Sequence, residues 1–196
     1  MTALIVAVVA LVLLGIAVLW AVGVYNGLIR LRRLAHESWR QIDAELTRRL
    51  DLVPKLVETV RAHASQEAAA LDTVLRARDA ASAAGSRVPE RVAAEGALSS
   101  ALGRLFAIAE TYPAVTANPD VEALQGELTD VEDRVAAGRR FYNANVRELN
   151  SRVESFPTSL FARAFGVAGA EHFEATDLAA RQASAARLDP TDRPPT

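Results

Sequence analysis

Apolar and small residues recur along the first half of the chain at steps of three and four. Their positions are 28, 31, 35, 39, 42, 46, 50, 53, 57, 60, 64, 68, 71 and 75. This spacing places one apolar face along an α-helix. Up to Leu50 the steps repeat every 11 residues, which predicts a nearly straight stripe. Because proline lacks a backbone N–H, we expect Pro54 to cause a kink or a short break near Leu50.

Turn residues divide the rest of the pattern into further helices. The run from Ala84 to Pro89 predicts a turn, with the proline in the first turn of a helix that ends at Tyr112-Pro113. Asn118-Pro119-Asp120 combines an N-cap, an N1 proline and an early acid, which predicts a helix start. The stripe then continues to Phe156-Pro157, so this helix should exceed about 50 Å. A shorter apolar segment follows, up to Gly166.

The sequence shows no strand-like alternation of apolar and polar residues. Long stripes joined by short turns predict an all-α fold, with an N-terminal transmembrane helix followed by an antiparallel bundle of long helices. We expect the transmembrane anchor at residues 1–29 and the bundle at 30–174. Residues 175–196 form a tail that we expect to be partly helical and then disordered.

The N-terminal segment is apolar on every side. No charged side chain occurs from Thr2 to Ile29, and residues 3–24 would form a helix of about 33 Å. That length crosses a hydrocarbon core of about 30 Å. Trp20 lies near its end, where aromatic rings favour the headgroup layer. Two alternatives are a cleaved signal peptide, since Ala21-Val22-Gly23 resembles a cleavage site, and a buried soluble helix.

Arginines follow the span and none precedes it. Arg30, Arg32 and Arg33 therefore predict, by the positive-inside rule, a single-pass cell-membrane protein with its N-terminus outside and its C-terminal domain in the cytoplasm. The same arginines can contact anionic lipid headgroups, although topology alone also explains them. Gly23 and Gly27 form a GxxxG motif, a weak indicator of helix pairing. Since few turn residues follow the span, we expect it to continue into the first bundle helix.

The amino-acid composition and the absence of certain motifs exclude several kinds of functional site. The chain has no cysteine, which excludes disulfides, cysteine-ligated zinc and thiol catalysis. A formal net charge of -2 gives no global field for nucleic acid. The three histidines lack metal-ligand spacing, and the sequence has no P-loop, GxGxxG or Gly-x-Ser-x-Gly motif. We expect no enzyme activity, no cofactor and no nucleic-acid partner; hydrolysis is a minor alternative without an identifiable metal or nucleophile.

Two polar clusters interrupt the apolar stripes. In the first, Arg48, Arg49 and Asp51 lie just before Pro54. One interpretation is that these side chains hydrogen-bond to the backbone carbonyl that the proline cannot pair with. The other is that they contact lipid, an anion or a partner. The second lies midway along the long helix. It comprises Arg139, Arg140, Phe141, Tyr142 and Asn143, followed by Asn145 and Asn150. Such groups on a bundle helix either fix the register of packing or contact a partner or ligand.

The order of these motifs resembles the LemA family of bacterial membrane proteins. The matching positions are Tyr25-Asn26, Arg48-Arg49-x-Asp51-Leu52-x-Pro54, Glu67, Arg78, Glu110-x-Tyr112-Pro113, Arg139, Tyr142-Asn143 and Phe156-Pro157. Val53 and Lys55 depart from the family pattern, and nothing beyond Phe173 matches it. The resemblance implies an N-out single span and a cytoplasmic bundle, with no established activity, catalytic residue or cofactor.

Two functions follow as hypotheses. The first is a membrane-anchored scaffold or interaction protein that presents helical faces to a second copy of the chain or to another membrane protein. The alternative is a membrane-proximal sensor that binds an anion or lipid headgroup through the arginine-rich turn at Arg48, Arg49 and Asp51. In both, the lipid bilayer is a partner.

Overall fold

The computed structural model describes residues 1–85 and 87–173, and these contain α-helices and no strand. The predicted all-α class is confirmed. In chain order the helices are α1 (Thr2–His63), α2 (Ala68–Ala83), α3 (Val88–Ala109), α4 (Pro113–Thr116), α5 (Pro119–Glu154) and α6 (Thr158–Ala164), with a 3-10 turn at Ser65–Glu67. The predicted tail at 175–196 lies outside the described residues.

Helix α1 is a single element of 62 residues, about 93 Å long. Residues 1–20 are all exposed, and the first buried residue is Leu28. The expected continuation of the apolar segment into the bundle is confirmed. By length and composition, α1 and α3 are both long and apolar enough to cross a membrane. In α3, however, the apolar side chains of Leu98, Leu102 and Leu105 are buried within the bundle.

Of the kink or short break expected near Leu50, the break is wrong, because α1 continues as one helix through Pro54 to His63. Proline at position 54 cannot donate to the carbonyl of Leu50. Arg78, on α2, donates instead from its Nε to the Leu50 carbonyl at 3.3 Å. The freed carbonyl is therefore satisfied from another helix, and the backbone has no need to open there.

The chain reverses at Ala64 instead, where φ is −136° and ψ is 53°. Ala64 is buried, and α2 then packs back along α1. The apolar pattern hides this reversal because positions 60, 64 and 68 keep the helical step across it.

Helix α5 packs antiparallel against α1 and forms the largest interface of the bundle, while α2 pairs with α3. Helix α5 begins as predicted, since the side chain of its N-cap residue Asn118 accepts a hydrogen bond from the Asp120 N–H at 2.8 Å. Its 36 residues span about 54 Å. At Gly138 the two helices are so close that a Cβ would lie 2.9 Å from Ile42 Cγ1.

Candidate functional site

Arg48, Arg49 and Asp51 project from α1 in different directions. Arg48 is half exposed (49%) and lies 3.7 Å from Glu127 on α5. The Arg49 side chain is only 5% exposed and points into the bundle, whereas Asp51 is exposed. The structure therefore does not bring these three residues together as one surface patch.

The Arg49 guanidinium joins three helices. Its Nη1 donates to Ser99 Oγ at 2.9 Å and lies 3.5 Å from Glu95 Oε2, both on α3. Its Nη2 donates to Glu132 Oε1 on α5. Since the buried guanidinium makes charged hydrogen bonds to residues of both α3 and α5, this arginine fixes the relative positions of α1, α3 and α5.

Arg91 completes the buried ion cluster, which we define as Arg49, Arg91 and Glu95. Its Nη1 donates to the Ala81 carbonyl of α2 at 2.6 Å, and its Nε lies 3.5 Å from Glu95 Oε1 and 3.6 Å from Asp43. Burial raises the pKa of Glu95, while the charges of Arg49 and Arg91 act in the opposite direction. The cluster thus sets two arginines against one buried carboxylate, with the partly exposed Glu132 and Asp43 supplying further negative charge, and it links four helices.

Sequence reasoning missed Arg91 and Glu95, although a pattern was present. Positions 91, 95, 98, 102, 105 and 109 follow steps of four and three, so both charged residues occupy apolar-stripe positions of α3. A charged pair on a buried stripe predicts partners of opposite sign on the facing helices.

At the bundle end farthest from the apolar segment, Tyr112 links two reversals of the chain. Its hydroxyl donates to Glu67 Oε1 at 2.6 Å and accepts from Gln66 Nε2 at 3.2 Å. The hydrogen bond to Glu67 raises the pKa of Tyr112. Pro113 begins α4, and Glu110 is exposed. In the Glu110-Tyr112-Pro113 motif, the Tyr112 hydroxyl therefore ties this loop to the turn after α1, and Pro113 begins α4.

The second polar cluster holds the segment after α6. The Asn143 side chain donates to the Phe173 carbonyl at 3.0 Å and accepts from the Phe173 N–H at 2.8 Å. Asn150 makes the same pair of bonds with Ala170, both at 2.9 Å. We call these two residues the asparagine clasp. A Cβ at Gly169 would lie 2.6 Å from Asn150 Oδ1, so glycine is what allows this approach.

Tyr142 extends the same attachment. Its hydroxyl donates to the Glu171 carbonyl at 2.7 Å, and burial raises the pKa of its phenol. Phe173 in turn packs against Trp39, with ring centroids 5.9 Å apart. These contacts give Tyr142, Asn143 and Asn150 a packing role, the first of the two alternatives that the sequence left open, whereas Arg140 and Phe141 of the same cluster are exposed.

The end of the bundle nearest the apolar segment contains the remaining predicted residues. Asn26, Arg30, Arg32 and Arg33 are all exposed on α1. A groove of about 780 Å³ lies between this part of α1 and the segment from Gly166 to Glu171. Arg32, Arg33 and His36 contribute its basic side chains.

Helix α6 lies against α1 at this same end. The rings of Trp20 and Phe161 meet edge to face with centroids 5.3 Å apart, and those of Tyr25 and Phe165 are 4.8 Å apart. Across residues 1–85 and 87–173, no group of three or more His, Asp or Glu side chains is arranged to hold a metal ion.

Comparison with known proteins gives one family and several relatives. The LemA family model matches residues 38–186, so the expectation that nothing beyond Phe173 matches the family is wrong. Magnetosome protein MamQ from Magnetospirillum gryphiswaldense is 35% identical over 80 residues, which is 41% of this chain and 29% of that protein. Magnetosome protein MamQ 2 from Paramagnetospirillum magneticum is 33% identical over 81 residues, or 41% of this chain and 30% of that protein. The match thus spans less than a third of these relatives' length.

Proposed function

This chain belongs to the LemA family, and we propose that it is a membrane-anchored scaffold that presents the faces of its helical bundle at the cytoplasmic membrane. The observation that carries the proposal is the continuity of α1. A single helix contains the apolar segment and the central stripe of the bundle, with no turn between them. A bundle attached in this way has a defined orientation relative to the bilayer, which a flexible linker would not provide.

The proposed orientation places the N-terminus outside and the bundle in the cytoplasm. It is supported by Arg30, Arg32 and Arg33, which follow the apolar segment and are all exposed. The partner is a second copy of the chain or another membrane protein. A non-catalytic role fits the polar groups of the bundle, since Arg49, Tyr112 and Asn143 are engaged in contacts between helices or segments.

The absence of cysteine makes orientation directly testable. Thr2→Cys and Ser82→Cys each introduce one thiol at an exposed position, before the apolar segment and on α2. A membrane-impermeant maleimide applied to intact cells should label Thr2→Cys, and label Ser82→Cys only after permeabilisation. The reverse labelling pattern would contradict the proposed orientation.

Assembly needs a separate measurement. Purification in mild detergent followed by mass determination should give an oligomer of the chain or a defined complex with a second membrane protein. Crosslinking in intact membranes before extraction checks that the association exists in the bilayer. A strictly monomeric chain in both experiments would refute the scaffold proposal.

The alternative of an anion sensor gains no support from the described contacts. It requires Arg48 and Arg49 to face a ligand together, but Arg49 is buried against Glu95, Ser99 and Glu132. The sensor function stays a prediction. Of Arg48 and Arg49, only Arg48 is exposed enough to bind an anion from solution, so it is the residue to substitute in a test.

A further inference from the structure

The end of the bundle next to the apolar segment exposes three large apolar side chains. Phe156 is 81% exposed, Leu160 56% and Phe165 51%, and all three lie on or beside α6. We call this group the α6 surface. Large apolar side chains exposed together mark a surface that is covered in the working state of a protein.

The contacts of α6 fix its position along α1, and this position gives its depth when the apolar segment spans the bilayer as proposed. Phe161 packs against Trp20, and Trp20 belongs to the apolar segment itself. Arg30, the first charged side chain after that segment, is ten residues further along α1, or about 15 Å. The headgroup layer of one leaflet is about 5–8 Å thick. With Arg30 at the outer edge of the headgroups and α1 upright, Trp20 and the Phe161 ring packed on it lie about 7–10 Å below the headgroup layer, and a tilt of α1 brings them closer to that layer.

The path of the chain leads to the same placement. Helix α5 ends at Glu154, close to the point where α1 leaves the apolar segment, since Arg152 Nη1 would lie 3.8 Å from a Cβ at Gly27. After α6 the chain turns back, and Val167 packs with Leu28 in the membrane-proximal core. Helix α6 is thus the part of the bundle that reaches furthest along the apolar segment.

We propose that α6 is an interfacial helix that inserts the side chains of Phe156, Leu160 and Phe165 into the headgroup–acyl boundary of the leaflet next to the bundle. The occupant of the α6 surface is lipid. Its continuity with the anchor supports this choice, because Phe165 of the α6 surface packs against Tyr25 of α1. Arg163, which is exposed on α6 itself, complements anionic headgroups.

This proposal rests on the membrane anchor, but it needs neither the proposed orientation nor a protein partner. Whichever side of the membrane holds the bundle, α6 meets the leaflet on that side. Interfacial helices usually lie about 5–10 Å deep at the headgroup–acyl boundary. The inserted surface would give the chain a second point of attachment to the same bilayer.

The test uses the full chain, which has no cysteine of its own, in vesicles whose acyl chains carry bromine. Leu160→Cys and, separately, Phe156→Cys are labelled with an environment-sensitive fluorophore. Ala107→Cys, exposed on α3 near the opposite end of the bundle, is the water-facing control. Leu11→Cys, in the apolar segment, is the control for insertion of the anchor. Circular dichroism checks that each variant keeps its helix content.

Both α6 labels should emit at shorter wavelength than the Ala107→Cys label and be quenched several-fold more strongly by the brominated lipid. A wavelength shift without quenching would mean that protein covers the α6 surface, and would overturn the proposal. Water-like emission from both α6 labels with a quenched Leu11→Cys label would overturn it while leaving the anchor intact. An unquenched Leu11→Cys label would reject the anchor itself, and α6 insertion with it.

Discussion

Replacing Arg49 by glutamine tests whether this arginine is part of the bundle or part of a binding surface. The substitution removes the guanidinium that lies 3.5 Å from Glu95 and donates to Ser99 and Glu132. Taking one partner from a buried ion pair costs about 3–5 kcal/mol, because the remaining charge stays buried. Since Arg91 still faces Glu95, we expect the lower end, about 3 kcal/mol.

That loss is large enough to follow by thermal unfolding of the full chain in detergent micelles, using far-ultraviolet circular dichroism. For a domain of this size about 3 kcal/mol lowers the Tm by roughly 6–12 °C. Arg48→Gln is the matched control, because it changes the neighbouring residue and removes an exposed pair worth at most about 1 kcal/mol. Equal melting temperatures for Arg49→Gln and the natural chain would refute the structural role of Arg49.

The pH dependence gives an independent check on the same pair. Burial raises the pKa of Glu95 above its value in the unfolded chain, so the folded state holds this proton to higher pH. Its contribution to stability is therefore greatest below the unfolded pKa and is lost as pH rises through the folded pKa. Without Arg49 the folded pKa rises further. Acidification from about pH 7 to about pH 5 should then recover more stability in Arg49→Gln than in the natural chain. Glu95→Gln in the Arg49→Gln background should abolish that difference.

Three further substitutions test other contacts. Asn143→Ala removes two hydrogen bonds to Phe173 and should speed hydrogen exchange of residues 167–173, because the free energy of local opening there falls by about 1–3 kcal/mol. Unchanged exchange in this segment would contradict the role of the asparagine clasp. Gly138→Ala should lower the Tm because its Cβ would lie 2.9 Å from Ile42. The control Gly126→Ala, whose Cβ would meet nothing within 4 Å, should raise the free energy of unfolding by up to about 1 kcal/mol, and equal changes in Tm for the two variants would contradict the close approach of α1 and α5. Arg78→Met should lower the free energy of unfolding by about 1–3 kcal/mol in the natural chain, but by less in a chain that also carries Pro54→Ala, because the introduced alanine supplies an N–H for the Leu50 carbonyl. Equal losses in both backgrounds would show that Arg78 does not stabilise the fold through this hydrogen bond.

Local signals in the sequence predicted the elements well. The start of α5 was predictable because the Asn118 cap and its proline act within a few residues. The continuation of the apolar segment into the bundle followed from the unbroken stripe past Leu28 and the few turn residues before it. The reversal at Ala64 was not predictable from that stripe, since an alanine there keeps the helical step and is buried on either path.

The partners of polar residues were less predictable because they depend on register between distant helices. Arg49 lies next to Arg48 in sequence, yet one is buried and the other half exposed, and only the packing of α3 and α5 separates them. The clasp residue Asn143 binds backbone thirty residues later, in a segment without periodicity. Charged residues on the α3 stripe were visible in the sequence and would have identified Glu95 as a buried group.

If the apolar segment spans the bilayer as proposed, the length of α1 beyond it converts a tilt of the span into a sideways movement of the far end of the bundle. From Val24 to His63 the helix extends about 59 Å. Transmembrane helices adjust their tilt to bilayer thickness, with typical tilts of about 20°. A change of about 10° would move the end of α1 near Tyr112 sideways by roughly 10 Å, since no hinge between the apolar segment and the bundle absorbs the rotation. Local thinning or thickening of the bilayer would thereby become a lateral displacement far from the lipid.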